Sequence, residues 1–220
     1  MIPAKPLARD GGTIPALGLG VFRMPAEDTA RMVKTALQLG YRHIDTAQIY
    51  GNEADVGQGL AESGIAREDV FVTTKVWVDH YRGAGFRQSV QDSLSRLRTD
   101  YVDLLLLHWP NNAVPLAEQI AALNEARSSG RARHIGVSNF TTALMREAAA
   151  LSSAPLVNNQ IEYHPYLDQS AVRAEAQRLG MSITAYYGMA DGKVLQDPVI
   201  RAMAQRLGKT PAQIALRWLV

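Results

Sequence analysis

The stretch YRHIDTAQIYGNE, Tyr41 to Glu53, decides how the chain is read. It begins as a strand, with Tyr41, His43 and Asp45 on one face at a period of two and Ile44 on the other. It then breaks into a loop carrying Thr46, Tyr50 and the turn pair Gly51-Asn52. An acid therefore stands at the carboxyl end of a strand, with a phenol five residues on. In parallel α/β folds that end of the strand faces the active site. A carboxylate buried there needs a partner.

Outward from this stretch, strand and helix signals alternate. Towards the amino end, residues 5–14 read as a hairpin turning at Asp10-Gly11, and Ala16 to Gly20 as a first buried strand. Gly18-Leu19-Gly20 is not a dinucleotide loop, because Arg23 stands where the third glycine belongs and no helix opens there. Helices are expected over 27–39, 53–63, 86–97, 116–128, 141–150, 169–179 and 198–207, and a last one after Thr210-Pro211. Strands are expected at His43 and over 70–75, 102–107, 133–138, 157–161 and 182–186. Repeated strand–helix units without a shift in composition imply a parallel sheet covered by helices and, if closed, a (β/α)8 TIM barrel with an N-terminal β-hairpin. Seven units are readable before Val220, so the expectation is one domain over 1–220 lacking the eighth strand and helix, with two strand edges through which copies can associate.

Composition is that of an ordinary globular chain: 220 residues, 47% hydrophobic, 20% charged, net charge +2. Positive residues are scattered, which argues against nucleic acid and membrane surfaces. There is no cysteine, hence no disulfide, thiolate metal site or cysteine nucleophile, in keeping with a reducing cytoplasm. The five histidines are dispersed and no metal is expected.

The notable polar residues recur at strand carboxyl ends: Asp45, with Tyr50 after it; Lys75, then Trp77; His108, then Trp109; Ser138-Asn139; Gln160; and Tyr186. A barrel gathers those ends into one mouth. A structural ion pair between Asp45 and Lys75, or a core role for His108, is the plainer alternative for each alone. Together they make a proton donor. An ammonium beside a phenol favours the phenolate, a carboxylate holds the ammonium, and a histidine can hydrogen-bond a carbonyl oxygen. With no flavin, metal or cysteine signature, a nicotinamide is the natural hydride source. Ser138, Asn139 and Gln160 suit a carboxamide, and Tyr186 offers a ring face.

Seven segments in order along the chain, GLGVF, YRHIDTAQIYGNE, VTTKVW, LLLLHWP, IGVSNF, NQIEYHP and TPAQIALRW, resemble those of the aldo-keto reductases, and among them the bacterial 2,5-diketo-gluconate reductase type. The resemblance implies a barrel with NADPH across its mouth, NADH not being excluded, and reduction of a small aldehyde or ketone, a keto-sugar acid among the candidates. It implies that Tyr50 is the general acid, that Lys75 and Asp45 tune it, and that His108 orients the carbonyl. It places Val21, Asp45, Ser138, Asn139, Gln160 and Tyr186 at the cofactor and Phe22, Trp77, His108 and Trp109 at the substrate, in a cytoplasmic monomer. Two departures stand out. Gly188 occupies a usual proline position, with Tyr187 in place of a small residue. The family also runs on past the position of Val220, through strand eight and the segment that grips the 2′-phosphate. Two further readings stay open: a non-catalytic cofactor-sensing subunit, for which no added partner-binding segment is seen, and an inactive reductase fragment.

Overall fold

The computed structural model describes residues 2–7 and 12–220. Strands β1 (Ala4–Leu7) and β2 (Gly12–Pro15) form an antiparallel hairpin. Its expected turn at Asp10-Gly11 lies outside the described residues. Seven further strands form one parallel sheet in sequence order: β3 (Leu19–Gly20), β4 (His43–Asp45), β5 (Phe71–Val76), β6 (Val102–Leu107), β7 (Ala132–Ser138), β8 (Leu156–Glu162) and β9 (Ser182–Tyr186). Helices α1 (Ala26–Gln38), α2 (Glu53–Glu62), α3 (Gly83–Leu97), α4 (Leu116–Ser128), α5 (Thr142–Leu151) and α6 (Ser170–Leu179) link consecutive strands from β3 on. After β9 come α7 (Lys193–Gln196), α8 (Pro198–Leu207) and α9 (Pro211–Leu219). The sheet is a nearly closed barrel: among the described residues no hydrogen-bond ladder joins β9 to β3, and all of β9 is half-buried.

Period-two alternation divides the core. On β6, Leu105 and Leu107 face the helices, while Leu104 and Leu106 point inward to meet Phe71, Val157 and the hairpin residues Leu7 and Ile14. The hairpin thus plugs the amino end of the barrel. On β5, Phe71 belongs to that inner cluster and Lys75 reaches Asp45, whereas Val72 and Val76 join the helix-side core and Thr74 reaches Glu53 of α2. Each fully buried leucine of β6 contributes roughly 2 kcal/mol from water exclusion. Helix α2 approaches α3 closely because Gly57 is there: a Cβ on it would lie 2.3 Å from the Arg96 carbonyl oxygen.

Helix boundaries follow local chemistry. Thr210 and Gln213 form a reciprocal capping box with Pro211 in the first turn, and Thr141 accepts from the Leu144 N–H. Two expected starts shift by three residues, and one short helix carries no sequence signal. The first strand is Leu19–Gly20, not Ala16–Gly20, because Gly18 passes so close to His43 that a Cβ would meet its ring at 2.6 Å, and the segment bends there. Helix α3 starts at Gly83, three residues before the apolar stripe that signals it. The single-turn α7 has too few residues for a periodic signal.

Below the barrel, buried Asp103 ties the strand starts together. It accepts from the Val72 N–H at 2.9 Å, Arg67 at 2.8 Å and Arg133 at 3.1 Å. Arg67 also donates to the carbonyls of Val70 and Tyr101, and both guanidiniums stack on the Tyr101 ring. Removing the carboxylate strands the Val72 N–H and breaks both arginine bridges, although Arg67 keeps its carbonyl acceptors and Arg133 reaches water, so Asp103→Ala is expected to lower unfolding stability by about 2 kcal/mol in urea titration, with Asp103→Asn losing less. A loss below about 1 kcal/mol in the alanine variant would contradict the clamp.

Candidate active site

A cleft of about 1630 Å³ runs from the carboxyl ends of the strands down the unpaired side between β9 and β3 to the hairpin residues Lys5 and Ile14, so the site at the strand ends is only its upper part. Lys75 lies behind its wall, its side chain 1% exposed. Burial of an ammonium demands a full set of acceptors. Its Nζ donates to Asp45 Oδ1 at 2.6 Å, to the Thr46 carbonyl at 2.8 Å and to the Tyr50 hydroxyl at 3.4 Å. The other Asp45 oxygen accepts from Gln160 Nε2 at 2.6 Å.

Tyr50 ends a single 3-10 turn, Gln48–Tyr50, that follows β4. Its ring meets the His108 ring edge-on, with centroids 5.6 Å apart, and Phe22 lies 4.9 Å away on another side. Trp77 approaches His108 edge-on at 5.2 Å. Phe22, Trp77 and Trp109 all line the cleft, and Phe22 and Trp109 are exposed. Buried Tyr81 fixes Trp109 by donating to its carbonyl and accepting from its N–H.

Asn139 ties four strand ends together. Its N–H donates to the Gln160 carbonyl, its Nδ2 to the His108 carbonyl, and its Oδ1 accepts from the Tyr186 hydroxyl at 2.7 Å. Its φ of 63° lies in the left-handed region, which asparagine tolerates. Ser138 Oγ donates to the Gln160 carbonyl. A flat phenol and adjacent amides on one wall fit a nicotinamide with its carboxamide.

Burial sets the titration behaviour. It raises the Tyr50 phenol above its ordinary value, and Lys75 offsets this only partly, so the net direction is opposite to the one expected from the ammonium alone. Burial pulls the Lys75 ammonium down, but Asp45 and Tyr50 together leave it above its ordinary value. Burial, then the Lys75 charge, lowers His108 to about 4, and its Nδ1 is buried without a hydrogen-bond partner. Burial also lowers His43 and raises Tyr186.

Val21, expected at the cofactor, is fully buried behind the cleft lining; its N–H bonds the Asp45 carbonyl and its own carbonyl accepts from Asn52. The structure brings together Asp45, Tyr50, Lys75, His108, Ser138, Asn139, Gln160 and Tyr186, with Phe22, Trp77 and Trp109 at the opening. Sequence reading missed the braces: Gln48, Asn52 and Tyr81, whose polar groups all bond the backbone of other segments. Gln48 and Asn52 lie inside the opening stretch, but nothing in their spacing reveals such partners. Among the described residues no three His, Asp or Glu side chains are grouped to share a metal ion, and no helix is long and apolar enough to cross a membrane.

The profile described as Aldo/keto reductase family matches residues 16–220. Methylglyoxal reductase DkgB of Salmonella typhimurium is 48% identical over 209 residues, which cover 94% of this chain and 78% of the relative. A crystal structure described as a 2,5-diketo-D-gluconic acid reductase B is 59% identical with a TM-score of 0.96, covering 99% of this chain and 77% of the other. The Bombyx mori aldo-keto reductase in complex with NADP is 35% identical with a TM-score of 0.91, covering 98% and 79%.

The lowered histidines give a signed stability effect. His43 and His108 hold fewer protons folded than unfolded, so their contribution is present above about pH 6.5 and is lost as pH falls towards about 4, the folded value of His108. The denaturant midpoint is expected to fall across that window, and His108→Gln should flatten part of the slope. An unchanged slope in the variant would show that His108 titrates normally.

Proposed function

Because the chain belongs to the aldo/keto reductase family, we propose that it reduces aldehydes or ketones with NADPH, using Tyr50 as the general acid. The observation that carries the reading is the Tyr50–Lys75–Asp45 series at one wall of the cleft, closed on its other side by His108. NADPH, when bound, supplies the hydride that reduces the carbonyl carbon. Tyr186, Asn139, Ser138 and Gln160 are the residues that would hold its nicotinamide end.

Tyr50 keeps its proton throughout the neutral range, because burial raises its affinity. It delivers that proton to the carbonyl oxygen as negative charge grows there. The phenolate left behind lies beside the Lys75 ammonium, which lowers the cost of forming it. Asp45 keeps that ammonium charged and in place. His108 is neutral at pH 7. A neutral imidazole keeps one N–H donor and one acceptor nitrogen. His108 thus offers one N–H to orient the carbonyl oxygen without competing as an acid.

Phe22, Trp77 and Trp109 form the apolar rim that admits the substrate. The relatives' names select methylglyoxal and 2,5-diketo-D-gluconate as the first compounds to test. Residues 1–220 are read as one barrel domain lacking the eighth strand and helix, and the cytoplasm, which keeps NADPH available, as its compartment.

Tyr50→Phe is expected to lower kcat for methylglyoxal by at least about 10²-fold. NADPH affinity, followed by nicotinamide fluorescence, should change less than about twofold, since no hydrogen-bonding cofactor contact is assigned to the phenol. Retention of more than a tenth of kcat would sink the acid assignment. Failure of the parent chain to oxidise NADPH with either compound would sink the reaction itself.

A further inference from the structure

We propose that Gln48 is a positioning residue that sets the spacing between Tyr50 and Trp77, and through it the width of the substrate opening. The inference rests on the reductase reading above and deepens it. Gln48 begins the 3-10 turn that ends on Tyr50, and it is not among the residues lining the cleft. Its amide makes three bonds outward from the turn. Oε1 accepts from the Trp77 N–H at 2.9 Å, and Nε2 donates to the Ser89 carbonyl and to Ser93 Oγ, each at 3.1 Å.

These bonds join three segments that no ladder joins. The β5 ladder ends at Val76, so the Trp77 N–H lacks a strand partner, and the side chain of Gln48 supplies one. Ser89 and Ser93 belong to α3, which is anchored in the helix-side core through Phe86, Val90 and Leu94. The other end of the Tyr50 loop is held by the same helix: buried Glu53 accepts from Arg96, which also approaches Ser93, and from Thr74 beside Lys75. The turn bearing Tyr50 is therefore bolted to a rigid helix at both ends, and Trp77 is bolted to that turn. The rings of Tyr50 and Trp77 both rest edge-on against His108, so the gap they leave is the space offered to a carbonyl held there.

An amide is required because acceptor and donors are used at once. Leucine has nearly the same size and provides neither. Glutamate keeps the acceptor for Trp77 but cannot donate to the Ser89 carbonyl when ionised. Misplacement by about 1 Å can cost about 10²-fold in rate.

The test compares the parent chain, Gln48→Leu and Gln48→Glu, each labelled with 5-fluorotryptophan, the Trp77 resonance being assigned with Trp77→Phe. Gln48→Leu is expected to lose about 10- to 10²-fold in kcat for methylglyoxal while NADPH affinity stays within about twofold, and to shift the Trp77 resonance but not that of Trp218. Gln48→Glu, which keeps the acceptor for the Trp77 N–H, should hold the Trp77 resonance nearer its parent position than Gln48→Leu does. The proposal is overturned if Gln48→Leu keeps more than half of kcat with the Trp77 signal unmoved. It is equally overturned if the Trp218 signal and cofactor affinity move as much, which marks a general loss of structure, or if Gln48→Glu moves the Trp77 resonance as far as Gln48→Leu. Should the parent chain reduce no carbonyl, the reductase reading falls, and the fluorine spectra alone still decide whether Gln48 holds Trp77.

Discussion

A buried ammonium is the constraint on which the rest of this structure depends. Lys75 is almost wholly removed from water, and an unpaired charge in that position would cost several kcal/mol. Its three N–H groups each require an oxygen. The β4 strand supplies Asp45 at its end, the next backbone carbonyl supplies the second, and the Tyr50 phenol supplies the third at longer reach. The parallel register of β4 against β5, with Asp45 opposite Thr73, leaves Lys75 two residues further on, at a distance its long side chain spans. A change in that register by one residue would turn the lysine out towards α2 and leave the carboxylate alone.

The site is stiff because its polar groups are used twice. Asn139 satisfies the backbone of β8 and the carbonyl of His108 while receiving the Tyr186 hydroxyl. Gln160 holds the second oxygen of Asp45. Asn52 accepts from Thr46 and donates to the Val21 carbonyl, closing the Tyr50 loop against the segment that carries Phe22. Such ties hold donors and charges in place before a reaction begins, which is where electrostatic catalysis gains most. They also explain why burial dominates the titration of Tyr50 and His108. The same packing that orients the groups removes the water that would stabilise their ions.

Much of this was legible in the residues. The alternation of apolar runs with amphipathic segments placed Val102–Leu107, Leu116–Ser128, Ser182–Tyr186 and Pro198–Leu207 at their observed bounds. Period two put Asp45 and His43 on one face, and the strand-end rule gathered Lys75, His108, Asn139 and Tyr186 into one mouth. What escaped has physical causes. Gly18 shortens the first strand because it must pass under a histidine distant in sequence. Gln48 looks like an ordinary loop glutamine until the position of α3 is known. The net shift of Tyr50 could not be signed from neighbours alone, since it is a competition between a charge and the depth of burial.

The amino-acid sequence by itself determined the order of strands and helices, the parallel barrel architecture and the set of groups able to move a proton, because periodicity, caps and residue chemistry are local properties. Only the tertiary structure decided which of those groups touch, which of their atoms remain unpartnered, and which silent side chains hold them apart at the working distance. Those are properties of contacts between segments tens of residues apart, where burial and geometry, not residue type, set the energy.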